Sequence, residues 1–137
     1  MKFRYLLDTD WAVWWLRGRS EVVTRLTAWE RDGLGISIVT LAELYEGVER
    51  GQHPDVTRPA LERDFLEMVI LIPFSRQAAA RFGRESARLR RLGQPLPDFD
   101  LVVAATALEH GLTLLTEDRH FERIPGLRIR RVDETSP

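Results

Sequence analysis

Five short apolar runs punctuate the chain: Phe3 to Leu7, Ile36 to Val39, Ile70 to Ile72, Leu112 to Leu115 and Leu127 to Val132. Between them lie stretches with helical patterning: 11 to 16, Glu21 to Arg31, Thr40 to about Glu49, Ala60 to Val69, Arg76 to Leu92 and Asp98 to His110. Short apolar strands alternating with helices argue for a parallel sheet covered on both faces. The expected fold class is therefore α/β, a central parallel sheet of four to five strands flanked by helices on both faces. In such sheets the binding site lies beyond the C-terminal strand ends. Ser20 reads as an N-cap, Gly33, Gly93 and Gly111 as helix stops, and Gly51 to Pro59, with two prolines and a glycine, as a loop. A length of 137 residues fits one domain, assigned to 1–132 with 133–137 as a short C-terminal tail.

Composition narrows the chemistry. There is no cysteine, which removes disulfides, thiolate nucleophiles and zinc–cysteine sites together. His53, His110 and His120 are too dispersed to suggest a histidine metal cage. Lysine occurs once, at Lys2, and every other basic side chain is arginine or histidine. A net charge of −1 requires any nucleic-acid contact to come from a local patch. No apolar run approaches the roughly 20 residues of a membrane span, and the N-terminus lacks a signal-peptide pattern, so a cytoplasmic protein without membrane contact is expected.

Carboxylates remain. Asp8 ends the first strand, Asp118 follows the fourth, and Glu43 and Asp100 each sit in the first turn of a helix. Each has a plain structural explanation. Asp8 or Asp10 caps the first helix, Thr40 to Glu43 fits a capping box, Asp98 caps its helix with Asp100 favoured by the dipole, and Asp118 caps a turn. Taken together they read differently. Glu43 lies among Leu41, Ala42, Leu44 and Tyr45, and Asp100 among Phe99, Leu101, Val102 and Val103. Carboxylates in such surroundings resist ionisation unless something compensates, and four near one another repel further. Hard oxygen ligands without His or Cys point to Mg²⁺, with Mn²⁺ able to substitute, and to phosphate-ester chemistry.

An apolar strand followed by Asp8-Thr9-Asp10 also resembles the opening of haloacid-dehalogenase-type phosphatases and, more loosely, phospho-receiver domains. Both place a lysine near the phosphoryl group. Lys2 lies at the wrong end of the first strand to serve, and an arginine would bring different geometry. An acid-phosphatase-like phosphotransfer enzyme is thus the weaker alternative.

Four motifs in order carry a stronger likeness. Leu6-Leu7-Asp8-Thr9-Asp10, Ile38-Val39-Thr40-Leu41-Ala42-Glu43-Leu44, Asp98-Phe99-Asp100-Leu101-Val102-Val103-Ala104-Ala105-Thr106-Ala107 and Leu114-Leu115-Thr116-Glu117-Asp118 resemble those of PIN-domain ribonucleases. The closest likeness is to VapC-type toxins of type II toxin–antitoxin modules, and it extends from Phe3 to Leu127. The resemblance implies a single PIN-like domain in which Asp8, Glu43, Asp100 and Asp118 form the catalytic metal site. Asp8 and Asp100 are then the direct ligands, with Glu43 and Asp118 completing the charge. Thr9 and Thr116 match supporting hydroxyls. Position 10, often Asn in the family, is Asp here, and Asp98 is an additional acid, an accessory group or an N-cap. The implied reaction is Mg²⁺-dependent hydrolysis of RNA, leaving a 5′-phosphate and a 3′-hydroxyl. The implied partners are an RNA substrate, a cognate antitoxin and a second copy in a homodimer. A PIN-like module that binds RNA or a partner without cutting is the alternative from another class, and a DNA-directed nuclease is a third.

Two surfaces complete the reading. Arg81, Arg84, Arg88 and Arg91 recur at three- and four-residue steps, one stripe that serves either as a phosphate-tracking ridge or as a solvated face with Glu85 as partner. Trp11, Trp14 and Trp15 share one side of the first helix, with core packing the default and a docking groove or subunit interface the alternative. His120 falls close to Asp118 in sequence.

Overall fold

Strand β1, Tyr5–Leu7, is buried on both sides, and its residues divide by parity. Tyr5 and Leu7 join one core with Leu34, Ile36, Trp11 and Leu115, while Leu6 joins the opposite core with Ile72, Leu89, Leu114 and Phe121. Side chains alternate along a strand, so a three-residue apolar run feeds both layers. This is the computed structural model of the chain, and it describes residues 3–134. Lys2 and the last three residues of the expected tail lie outside the described residues.

The other strands are β2 (Leu34–Ser37), β3 (Ile70–Ile72), β4 (Thr113–Leu115) and β5 (Arg128–Arg130). All pair in parallel in the order β3-β2-β1-β4-β5. The chain therefore moves outward from β1 to β3, then returns to the other side of β1 through β4. That reversal opens a crevice at the carboxyl ends of β1 and β4. Helices α1 (Thr9–Leu16), α2 (Ser20–Trp29) and α3 (Ile38–Arg50) contribute to the first core, and α6 (Arg76–Arg91) and α7 (Asp98–His110) to the second. Gly35 is required by a close approach: a Cβ there would fall 2.2 Å from Ile72 Cδ1 on the neighbouring strand.

The expected architecture holds, with boundary corrections. The second strand ends at Ser37 rather than Val39, because the Ser37 hydroxyl accepts from the Thr40 backbone N–H at 3.1 Å and caps α3. Ile38 and Val39 are thus the first turn of α3, and the capping box expected from Thr40 to Glu43 gives way to this cap. Ser20 is not a cap but the first residue of α2, whose N-cap Arg19 makes no side-chain capping bond. Asp98 is likewise inside α7, and Pro97 occupies the cap position. The expected loop over 51–59 is partly helical: α4 covers Pro54–Pro59, with a proline at its start, where the missing N–H is no loss. It runs into a π-helical turn, Ala60–Phe65, and a short α5, Leu66–Met68.

Candidate active site

The crevice is built by β1, β4 and the helices that follow β1 and β2. Asp8 leaves β1 in extended conformation and caps α1, its Oδ1 accepting from the Thr9 backbone N–H at 2.9 Å. Its Oδ2 accepts from the Thr116 hydroxyl at 2.7 Å. Thr116 in turn accepts from the Asp118 backbone N–H at 3.1 Å, so its single proton is directed at Asp8. Thr9 Oγ1 donates to Glu43 Oε1 at 2.8 Å, fixing a side chain 34 residues away. Asp118 caps the 3₁₀ turn Arg119–Arg123 through the His120 backbone N–H at 2.9 Å, and the His120 Nδ1 stands 3.0 Å from the same oxygen. Both threonines therefore orient acids, and Asp8 and Asp118 are caps and pocket acids at once.

Asp100 enters from the first turn of α7. Its carboxyl is pushed up to about 6, first by burial and then by the charges of Asp8, Asp118 and Glu43, with His120 opposing. The Asp8 carboxyl is also raised, by burial above all, against the hydrogen bonds from Thr116 and Thr9 and with a push from Asp118. The four sequence-selected acids thus share one electrostatic neighbourhood. Among the described residues, no three His, Asp or Glu side chains stand in a closed ligand arrangement. The donor chemistry fits a hard divalent cation: all-oxygen ligands, partly desolvated and charged in excess. Among the described residues Asp118 alone of the four has an ion-pair partner, the imidazole of His120.

Other residues fall elsewhere. Asp98 is exposed, in the first turn of α7. Asp10 turns both oxygens to backbone donors, Trp11 N at 2.7 Å and Glu117 N at 2.9 Å, and burial followed by the Asp8 charge pushes its carboxyl to about 6. Glu117 had no signal of its own in the sequence. Its Oε2 accepts from the Trp11 indole at 3.1 Å and from the Val132 backbone N–H at 2.9 Å, partners 106 and 15 residues away. Trp11 is fully buried, stacked with Trp29, which in turn stacks on Tyr5. Trp15 leans on Phe65, and the Arg19 guanidinium covers Trp14 at 4.0 Å, so the tryptophan stripe is mainly core. On α6, Arg84 and Arg91 are exposed, whereas Arg88 is held by Glu85 at 2.7 Å and by the Arg123 carbonyl at 3.2 Å. Arg81 is half-buried, with its Nε enclosed and unpaired.

The sequence pattern of the PIN-domain family matches residues 5–127. The chain belongs to that family. More narrowly, it is a VapC-type toxin ribonuclease. It is 32% identical over 127 residues to the ribonuclease VapC2 of Haemophilus influenzae, covering 91% of this chain and 95% of that one. It is 31% identical to the tRNA(fMet)-specific endonuclease VapC of Salmonella typhimurium, covering 92% and 96%. The fold superposes on a chain of DNA-bound VapBC from Salmonella typhimurium with a TM-score of 0.87 and 30% identity, over 95% of this chain and 98% of that one. VapBC2 from Rickettsia felis, bound to a promoter DNA fragment, gives a TM-score of 0.87 at 26% identity, over 94% and 98%. No helix of the described residues is long and apolar enough to cross a membrane.

Proposed function

We propose that the chain hydrolyses RNA phosphodiester bonds at the Asp8–Glu43–Asp100–Asp118 pocket, with Mg²⁺ as cofactor and Mn²⁺ able to replace it. The observation that carries this is the convergence of the four acids: Thr116 and Thr9 hold Asp8 and Glu43 in the crevice, and burial with the charges of Asp8, Asp118 and Glu43 pushes the Asp100 carboxyl up to about 6. Asp8 and Asp100 are the proposed direct ligands, and Glu43 and Asp118 complete the charge. When bound, a hard divalent cation supplies acidification of water and neutralisation of the phosphodiester's charge. The chain's own residues prepare that site. The Thr116 hydroxyl donates to one oxygen of Asp8 and fixes its orientation, and Thr9 does the same for Glu43. The expected products carry a 5′-phosphate and a 3′-hydroxyl.

Three partners follow from this reading. The RNA backbone runs along α6, where Arg84 and Arg91 are exposed and Arg81 and Arg88 lie beside them. A cognate antitoxin restrains the enzyme. Its proposed seat is a groove of about 330 Å³ between α1 and α3, where Val13, Leu16 and Val48 lead to Glu43, so an apolar segment ending in a cation is complementary. A second copy covers apolar side chains left 37–50% exposed: Leu71 and Phe74 at the β3 margin, Ile38 at the start of α3 and Phe99 in the first turn of α7. The nuclease unit is taken as residues 1–132, since Val132 is still buried and bonded to Glu117. The proposed place of action is the cytoplasm.

The test compares wild type with Asp8→Asn and Asp100→Asn on matched RNA and DNA under a Mg²⁺ and Mn²⁺ titration with an EDTA control. Each variant is expected to fold and to lose roughly a hundredfold or more in cleavage, the scale of several kcal/mol of charge stabilisation. Unchanged cleavage removes the site assignment. A wild type that binds RNA but cuts nothing at any cation concentration is a binding module instead, and preference for DNA reverses the substrate.

A further inference from the structure

Glu117 sits between two site residues in sequence yet turns its carboxylate away from them, into a polar circuit that cleavage itself does not use. The circuit is reciprocal. The Glu117 backbone N–H donates to Asp10 Oδ2 at 2.9 Å, and the neighbouring Trp11 indole donates to Glu117 Oε2 at 3.1 Å. The first turn of α1 and the turn after β4 therefore exchange two hydrogen bonds, while Val132 N closes a third onto the same Glu117 oxygen at 2.9 Å. One side of this clasp is anchored in the core, because Trp11 is fully buried and stacked on Trp29. On the other side stand Asp8, two residues before Asp10, and Asp118, directly after Glu117. Between those residues lies a relay of two hydrogen bonds, from the Asp118 backbone N–H to the Thr116 hydroxyl and from that hydroxyl to Asp8 Oδ2, so the turn after β4 is tied directly to Asp8.

We propose that Glu117 is a positioning residue for the acid pocket: by clasping α1 to the turn after β4 through Trp11, it sets the separation of Asp8 and Asp118 and thereby the affinity for a divalent cation. The proposal rests on the metal reading of the pocket. Ligands held by outer partners lose cation affinity when those partners go, by about tenfold or more.

The test is Mn²⁺ binding by calorimetry and electron paramagnetic resonance on the full chain, beside kcat at saturating Mn²⁺ and the thermal midpoint. Glu117→Ala is expected to weaken Mn²⁺ binding about tenfold while keeping most of kcat once cation is saturating. Glu117→Gln, which retains an acceptor oxygen, is expected to restore the affinity, and the Trp11 indole N–H resonance should move in the alanine variant and return in the glutamine one. A folded Glu117→Ala protein with wild-type affinity overturns the proposal. Should that variant not fold, Trp11→Phe removes the same indole bond, and wild-type affinity there overturns it equally. A wild type that binds no cation refutes the metal reading itself, whereas wild-type binding with indifferent variants refutes only the role of Glu117.

Discussion

Asp100 occupies the first turn of α7, where the helix dipole favours a negative charge, yet its carboxyl is held near 6. Burial and the charges of Asp8, Asp118 and Glu43 outweigh the dipole. Asp10 is pushed to a similar value by burial and by Asp8. Both acids bind protons more tightly folded than unfolded, so between pH 4 and 6 the folded state holds the extra protons. Stability from these groups is thus full below pH 4, falls as pH rises through 6 and stays low above it. Asp100→Asn removes one charge from the pocket without changing its shape. Thermal unfolding in EDTA is expected to give Asp100→Asn a higher midpoint than wild type at pH 7.5, with the gap closing by pH 4. The same midpoint difference at both pH values would place its cause outside the pocket charge. Much of the site was legible at this scale, because acids beside apolar neighbours are costly without a function. Glu43 was the exception in detail: local spacing suggested a capping partner, whereas its bond is to Thr9, a contact only the fold creates.

At the scale of elements, β3, α6 and α7 were readable almost to the residue, since Pro73, Gly93 and Gly111 mark their ends. The β2–α3 boundary was not. Ile36 to Val39 is one apolar run, and only the hydroxyl of Ser37 divides strand from helix. Residues 54–59 were hidden for the opposite reason, their prolines resembling a loop although Pro54 opens a helix. The arginine stripe of α6 divides in the same way. Spacing placed four guanidinium groups together, but Glu85 and the Arg123 carbonyl occupy Arg88 and turn it into a brace onto the turn after Asp118. Arg84 and Arg91 are the exposed pair. If they track RNA, each contributes about 0.7 to the slope of log affinity against log salt, the single-strand value. The double variant Arg84→Ala, Arg91→Ala is then expected to flatten that slope by about 1.4 in a filter-binding titration, with the folded content unchanged. An unaltered slope returns the stripe to plain solvation.

For the whole molecule, the 3-2-1-4-5 strand order brings the pocket to the middle of one sheet edge and leaves β3 as an outer strand. β3 pairs in parallel with β2 over Gly35–Ser37, with the Ile72 side chain packed closely over Gly35. Leu71 on β3 is 44% exposed and Phe74 just after it 37%, while Ile38 at the start of α3 is 48% and Phe99 in the first turn of α7 50% exposed. Phe74 meets Phe82 edge-on at 6.4 Å, which fixes one ring of this margin in place. Large apolar side chains left exposed are the proposed contact surface for a second copy. Phe99 directly precedes Asp100, so a second copy seated here lies against the rim of the pocket and narrows the path by which RNA reaches it. If that contact includes Phe99, Phe99→Glu puts a charge into it, where an unpaired charge costs several kcal/mol, enough to dissociate a micromolar pair. Sedimentation at micromolar concentration is expected to find wild type as a dimer and Phe99→Glu as a monomer, with thermal stability of the monomer fold little changed. A wild-type monomer under those conditions, or a variant that still pairs, would move the interface elsewhere. Cleavage by the monomeric variant then separates the two roles of this margin: activity on short RNA should persist, because Asp8, Glu43, Asp100 and Asp118 all come from one chain.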